Sequence, residues 1–155
     1  MESRISNFDE FWKHYLHEHR DPRSRWLHFV GSTGWMASLG VSVALNPLYF
    51  PLALGGFALA LAHGLKAGEG ARPRVENIAA MVIIPSLASP VVFPAGVVFA
   101  YANAWFGHFV IEKNRPATFK YPLWSFACDL LMVSHMLRGR LWTGDPIEAL
   151  GLASA

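Results

Sequence analysis

Residues 26–65, WLHFVGSTGWMASLGVSVALNPLYFPLALGGFALALAHGL, contain no Asp, Glu, Lys or Arg. A second uncharged run covers residues 77–111. A helix rises about 1.5 Å per residue, and the hydrocarbon core of a typical bilayer is about 30 Å thick. Each run is therefore long enough for two helices that cross a thin bilayer, or for two shorter helices that enter one leaflet and return. Proline interrupts each run near its middle, at Asn46-Pro47 in the first and at Pro90 and Pro94 in the second. We therefore predict two helical hairpins, in which residues 26–45 pair with 48–65 and residues 78–92 pair with 94–111.

The composition of the chain favours a membrane protein. Of the 155 residues, 53% are hydrophobic and only 15% are charged, which is too apolar for an ordinary soluble domain. The length suits a single membrane domain over residues 1–155. The formal net charge is only +2, so no broad basic surface indicates a nucleic-acid partner. The one cysteine, Cys128, excludes an intramolecular disulfide and a multi-cysteine zinc site.

Amphipathic helices are predicted on both sides of the hairpins. Near the N-terminus, five apolar residues follow the spacing of one helical face, namely Phe8, Phe11, Trp12, Tyr15 and Leu16. Asp21-Pro22 would end this helix, and His19 falls near the centre of its apolar stripe. In the last segment, residues 122–141, a second apolar face includes Trp124 and Cys128. The predicted fold is therefore an all-α integral membrane protein with about four membrane helices and an amphipathic helix at each end.

Two hairpins would place every charged connection on one side of the membrane. Five histidines could then meet at that interface, namely His19, His28, His63, His108 and His135. Positive charge in short segments beside membrane helices favours the cytosolic side. Here it comes from Arg20, Arg23, Arg25, Lys66, Arg72, Arg74, Lys113, Arg115 and Lys120. We therefore expect a cytosolic active face, in the inner membrane of a bacterium or the endoplasmic reticulum of a eukaryote.

The segment around His108 suggests a metal site. His108 and Glu112 are four residues apart, so an α-helix would present both on one face, as two metal ligands or as one ligand and its orienting partner. Ionisable groups at membrane depth are costly and usually functional. A hydrogen bond between the two side chains would also explain the spacing. Asp129 is either an acceptor for a ligand histidine or a structural partner of Asn114, Arg115 or a neighbouring backbone N–H.

Two stretches carry a resemblance to a known family. These are HEHRDPRSRWLHFVG, residues 17–31, and AWFGHFVIEKNRPATFKYPLWSFACDLLM, residues 104–132. Together they resemble the family of small membrane proteins that includes the fungal 2-hydroxy fatty acid dioxygenase. Ser24-Arg25 and the stretch TFKYPLWS depart from the fungal pattern, which bears on the substrate more than on the fold.

The resemblance implies an Fe2+-dependent enzyme that uses O2 to convert a 2-hydroxy fatty acid into the fatty acid one carbon shorter. By motif, the important histidines fall on His19, His28 and His108, with Glu112 beside the last. Imidazole and carboxylate suit a non-haem iron that needs open positions. We therefore expect these three histidines to bind the iron and Glu112 to be a fourth ligand or to orient His108. His63 is a further candidate ligand; alternatively, it is a histidine at a helix end, level with the lipid headgroups.

The substrate and its surroundings are also predicted. Arg25, Lys113 or Arg115 could pair with the substrate carboxylate, because guanidinium in particular offers a bidentate fork. As an alternative, these cations only flank the membrane helices. The acyl chain would lie between the helices, in contact with membrane lipids. The sequence is also compatible with a homo-oligomer.

Other functions remain open from the residues alone. A non-enzymatic membrane scaffold would use the histidines only to cap helices. A haem protein would use paired histidines as axial ligands. A di-iron desaturase is expected to contain several HxxxH or HxxHH elements, and the chain contains neither.

Overall fold

A computed structural model describes residues 4–69 and 73–152, so Arg72, one of the predicted flanking cations, lies outside the described residues. Within these ranges the chain is all-helical and forms no strand. The α-helices are α1 (Phe8–His17), α2 (Pro22–Leu45), α3 (Tyr49–Ala67), α4 (Val75–Ala88), α5 (Val92–Phe106), α6 (Pro122–Leu137) and α7 (Pro146–Ala149). A π-helical segment, Gly107–Glu112, continues α5, and a 3-10 turn, Ala117–Phe119, precedes α6. The prediction of an all-α fold is confirmed for these ranges.

Local capping explains where the first two helices begin. The Asn7 side chain accepts a hydrogen bond from the backbone N–H of Glu10 at 2.8 Å, which satisfies one free donor of α1. Asp21 does the same for α2 through Arg23 N at 2.8 Å, and Pro22 occupies the first helical position. The predicted break at Asp21-Pro22 is therefore confirmed, and His19 lies in the short link between α1 and α2.

The helices pack in pairs that differ from the predicted hairpins. The turns lie close to the predicted positions, but α2 packs mainly along α5 and α3 mainly along α4, whereas the helices joined by each turn touch little. Glycines explain the choice of partner, because they let helix backbones approach closely. A Cβ atom at Gly31 would lie 3.0 Å from the Ala100 carbonyl oxygen, and one at Gly96 would overlap the Ser38 side chain. The predicted hairpin pairing is therefore wrong: residues 26–45 do not pack mainly against 48–65, and residues 78–92 do not pack mainly against 94–111.

One described helix, α3 (Tyr49–Ala67), is long and apolar enough to cross a membrane by length and composition. Helices α4 and α6 are apolar but shorter. Length and composition thus support one of the four predicted membrane helices. Several apolar side chains on α3, α4 and α5 are nevertheless strongly exposed, including Leu59, Leu87 and Val98.

The amphipathic end helices pack on each other. On α1 the buried face consists of Phe11, Tyr15 and Leu16, and on α6 it includes Trp124, Cys128 and Met132. The free thiol of Cys128 is buried, as expected for a small core side chain. This packing brings the C-terminal end of α1 close to the middle of α6 and to the start of α2.

Candidate metal centre and adjoining cavity

Three histidines from distant parts of the chain lie together inside the protein. His19 comes from the α1–α2 link, His28 from the second turn of α2, and His108 from the π-helical segment. They are 0%, 6% and 3% exposed. One ligand nitrogen of each lies within 4.8 Å of the others, and the Nε2 atoms of His19 and His28 are 3.2 Å apart. We call these three residues the histidine cluster.

The backbone around His19 is held by a buried arginine. The Arg25 guanidinium donates hydrogen bonds to the carbonyl oxygens of His19 and Arg20, at 2.9 Å and 2.7 Å. It also donates to Leu141 O and Gly144 O, at 2.7 Å and 2.8 Å. Arg25 therefore ties the α1–α2 link to the segment after α6. Its donors are used on backbone carbonyls rather than turned toward the cavity described below.

The segment that carries His108 is π-helical rather than α-helical. Its turn is wider than an α-helical turn, so residues four apart no longer share a face closely. Gly107 allows close contact with α2, because a Cβ atom there would lie 3.0 Å from Ser24 Oγ. The segment ends at Lys113, whose φ of 54° is left-handed, and Asn114 N donates to His108 O at 3.0 Å.

The other ring nitrogen of each histidine is hydrogen-bonded to an oxygen. His19 Nδ1 lies 2.6 Å from Tyr15 O, and His28 Nδ1 lies 2.7 Å from Asp129 Oδ1. His108 Nδ1 lies 2.7 Å from Asn114 Oδ1. The Asn114 amide donates to Glu18 O at 2.9 Å, so its oxygen is the atom that faces His108. Because each of these oxygens accepts, each Nδ1 carries the proton and each Nε2 keeps a free lone pair.

The Asp129 carboxylate supports this arrangement from α6. It accepts hydrogen bonds from His28, from the Tyr15 hydroxyl at 3.2 Å and from the Ser32 hydroxyl. Tyr15 also stacks on the His19 ring, with the ring centroids 4.0 Å apart. A carboxylate behind a ligand histidine orients the ring and raises its basicity. Of the two predicted roles for Asp129, the structure shows the acceptor role.

These contacts fit a bound metal ion. Two unprotonated Nε2 atoms at 3.2 Å repel each other unless a cation lies near both. Burial lowers the pKa of His19 well below its usual value, and the neighbouring imidazoles of His28 and His108 lower it further, so a second proton is poorly held on this ring. Nitrogen ligands bind an ion at about 2 Å, so two ligands of one ion lie no more than about 4 Å apart. The His19 and His28 nitrogens meet this limit, and the His108 nitrogen, within 4.8 Å of both, is close to it. The histidine cluster can therefore hold a metal ion.

The other predicted site residues lie elsewhere. Glu112 Oε1 accepts from Asp21 N at 2.9 Å, next to the start of α2. The exposed His63 pairs with Asn77, with its Nδ1 atom 3.0 Å from the amide nitrogen. His135 stacks on Trp12. Arg115 is exposed, with its guanidinium 5.1 Å from the centre of the Phe119 ring. Among the described residues, only the three histidines of the cluster form a group suited to a metal.

Sequence reasoning missed the roles of Asn114 and Tyr15. The sequence suggests Asn114 only as a possible structural partner of Asp129, yet its side chain orients His108 in the place predicted for Glu112. Tyr15 appeared only as an apolar position of α1, yet it contacts His19 and Asp129. Asn114 follows His108 by six residues, and this spacing is the only sequence feature that links the two. It predicts a contact between their side chains only if the π-helical turn between them is known.

An apolar cavity of about 130 Å³ adjoins the cluster. It lies between the α2/α5 pair and the α3/α4 pair, and α6 closes one side. Its polar end includes His28, His108, Ser32 and Asp129. The remaining wall is mostly apolar and aromatic, with residues such as Trp35, Phe57, Met81, Phe93 and Phe126. No Lys or Arg is among the described residues that line it.

The fold and the site define an all-helical protein with a buried three-histidine cluster at one end of an apolar cavity. Residues 5–141 match the family model described as 2-hydroxy-palmitic acid dioxygenase Mpo1-like, and the chain belongs to this family. The expected family is thereby confirmed. A search of curated proteins and a search of solved structures each found no match.

Proposed function

We propose that the protein is an Fe2+-dependent dioxygenase that shortens 2-hydroxy fatty acids by one carbon. One O2 is consumed, the bond between C1 and C2 breaks, and the products are the shorter fatty acid, CO2 and water, which balances all atoms. The observation that carries the proposal is the convergence of three imidazoles, each with a free Nε2, at the polar end of an apolar cavity. The family description supports the substrate class.

His19, His28 and His108 would hold the iron through Nε2. Imidazole suits Fe2+, and three protein ligands leave positions for small ligands. When bound, the iron supplies the activation of O2 that protein side chains cannot perform. Tyr15 O, Asp129 and Asn114 keep the Nδ1 protons in place and so keep each Nε2 free for the metal.

The cavity suits the acyl chain of the substrate. Phe93 and His108 both line it, and the 15 positions between them correspond to about 22 Å of helix. One leaflet of a bilayer is about 15 Å of hydrocarbon, half of the 30 Å core, so the cavity wall is longer than one leaflet, and the cavity volume of about 130 Å³ would take the part of the acyl chain next to the cluster. Its apolar walls would bury that chain and exclude water from the reacting end.

A membrane location would supply such a substrate directly. Exposed apolar side chains on α3, α4 and α5 face outward, as expected for contact with lipid. Near the histidine cluster, exposed aromatic residues Trp105, Phe106 and Phe119 accompany the exposed cations Lys113 and Arg115. This combination is typical of a membrane interface, and its positive charge favours the cytosolic side. We place the whole chain in one membrane domain.

The geometry argues against a haem held by His19 and His28. Two axial ligands on opposite faces of a haem would place their nitrogens about 4 Å apart, given about 2 Å per bond. The observed distance of 3.2 Å between the Nε2 atoms is shorter. A mononuclear non-haem site is therefore the better candidate.

The test uses the full chain, purified in detergent and loaded with Fe2+ without oxygen. Addition of 2-hydroxypalmitic acid and O2 should give oxygen uptake and an equal amount of pentadecanoic acid. His28→Ala should abolish both, whereas His17→Ala, which changes a histidine outside the cluster, should leave both unchanged. Absence of turnover in the iron-loaded wild type would contradict the proposal and favour a non-enzymatic scaffold.

A further inference from the structure

Ser125 has an unexplained hydroxyl at the wall of the cavity. This residue lies on the first turn of α6, is 5% exposed and lines the cavity. Its Oγ atom is buried and has no hydrogen-bond partner among the described residues. A buried hydroxyl without a partner costs free energy, so such a group calls for an explanation.

Four other polar groups at this end of the cavity are already paired. The Tyr15 and Ser32 hydroxyls and the His28 ring donate to Asp129, and His108 donates to Asn114. Ser125 lies four residues before Asp129 on α6, so the two share a face with Cβ atoms about 6 Å apart. Ser125 is therefore near Asp129, which supports the histidine cluster, and it lies on the wall that the substrate would contact.

No cationic side chain among the described residues is placed to bind the substrate carboxylate. Arg25 uses its donors on backbone carbonyls, and Arg115 is exposed outside the cavity. No described Lys or Arg lines the cavity. A neutral hydroxyl donor is then the protein group best placed to bind a carboxylate oxygen.

We propose that the Ser125 hydroxyl donates a hydrogen bond to the carboxylate of the 2-hydroxy acid and so determines recognition of the acid head. This inference rests on the proposed function, because it assumes that the cavity takes such an acid. It makes Ser125 a binding residue in addition to the histidine cluster.

The test compares two ligands that differ only in the carboxylate. 2-Hydroxypalmitic acid and the corresponding 1,2-diol share the chain and the 2-hydroxyl, but the diol has no carboxylate. Binding is measured at equilibrium without oxygen on the iron-loaded chain. Ser125→Ala should weaken binding of the acid about tenfold or more, as expected for a hydrogen bond to a charged group, and change binding of the diol less than about twofold.

Two controls make the result specific. Ser134→Ala removes a hydroxyl from the same helix that donates to Leu131 O at 2.7 Å, and it should change neither affinity. Iron content should be equal in wild type and Ser125→Ala. Unchanged affinity of Ser125→Ala for the acid would overturn the inference, and so would equal weakening for the diol, which would indicate a packing effect. If the wild type turns over the acid in either case, the proposed function stands while the role of Ser125 falls.

Discussion

His108 and His63 both lie near the end of a long apolar helical run, but their surroundings differ in a way that decides what each can do. His108 is buried, and its Nδ1 donates to Asn114, which leaves Nε2 free beside two other imidazoles. His63 is exposed, and the Asn77 amide that faces it also donates to Ala60 O at 2.7 Å. The same amide nitrogen must therefore donate to His63 Nδ1, which places the His63 proton on Nε2. Hydrogen bonds to Nδ1, more than position on a helix, therefore prepare a histidine for metal binding.

The largest expected contrast is between removal of a cluster histidine and removal of His63. His28→Ala should abolish stoichiometric iron binding and 2-hydroxy acid-dependent oxygen uptake, because only two imidazoles remain. His63→Ala should keep iron content and turnover within about twofold of wild type. Metal analysis and an oxygen electrode measure both. Loss of iron in His63→Ala would contradict the claim that His63 lies outside the metal site.

The next prediction concerns the hydrogen bonds from Arg25 that hold the backbone at His19. Arg25→Lys removes most of the hydrogen bonds to Leu141, Gly144, His19 and Arg20 and leaves buried carbonyls unpaired. Each buried group left unpaired costs about 1–3 kcal/mol, so a drop of several degrees in the melting temperature is expected. Iron content should fall as well. Arg115→Lys, at an exposed position, should change neither, and equal stability of the two variants would contradict the role of Arg25.

A smaller effect is expected from the partner of a single ring. Asp129→Asn places an amide that can donate beside His28 Nδ1 and weakens the preference for a free Nε2. Loss of such a partner typically lowers metal affinity about 10–100-fold. A competitive titration with a chelator measures this change. As a matched control, Asn77→Asp alters the partner of His63 and should leave metal affinity unchanged.

The smallest effect is the pH dependence of the metal-free chain. The pKa of His19 is well below its usual value of 6.5, because burial and the neighbouring imidazoles disfavour the charged form. The unfolded chain therefore binds a proton below about pH 6.5 that the folded chain does not, and stability falls as the pH falls through this range. The slope contributed by one such group is at most about 1.4 kcal/mol per pH unit. Denaturant titrations at pH 7.5 and 5.5 should show a smaller loss for His19→Gln than for wild type.

Sequence reasoning went furthest where local chemistry decides the outcome. Asp21 and Pro22 mark the start of α2 through their capping geometry, and the apolar spacing of α1 identifies its buried face. Helix pairing was predicted less well, because it depends on which glycine faces meet. The close approach at Gly31 and Gly96 joins α2 to α5, and no local pattern contains that information.

The same limit applies to the site. His19, His28 and His108 were singled out from motif and spacing, and the structure brings them together. Glu112 was paired with His108 by an α-helical rule that does not hold for a π-helical turn. The partners of the rings come from α1, α6 and the turn after the π-helical segment, so their roles depend on tertiary contacts.

The most direct test of the metal centre is X-ray absorption spectroscopy of the Fe2+-loaded chain together with its iron stoichiometry. We predict one iron per chain with three imidazole ligands in wild type and in His63→Ala. In the triple variant His19→Ala, His28→Ala and His108→Ala, bound iron should be absent. Stoichiometric iron with an unchanged imidazole signal in the triple variant would contradict the assignment of the histidine cluster as the metal site.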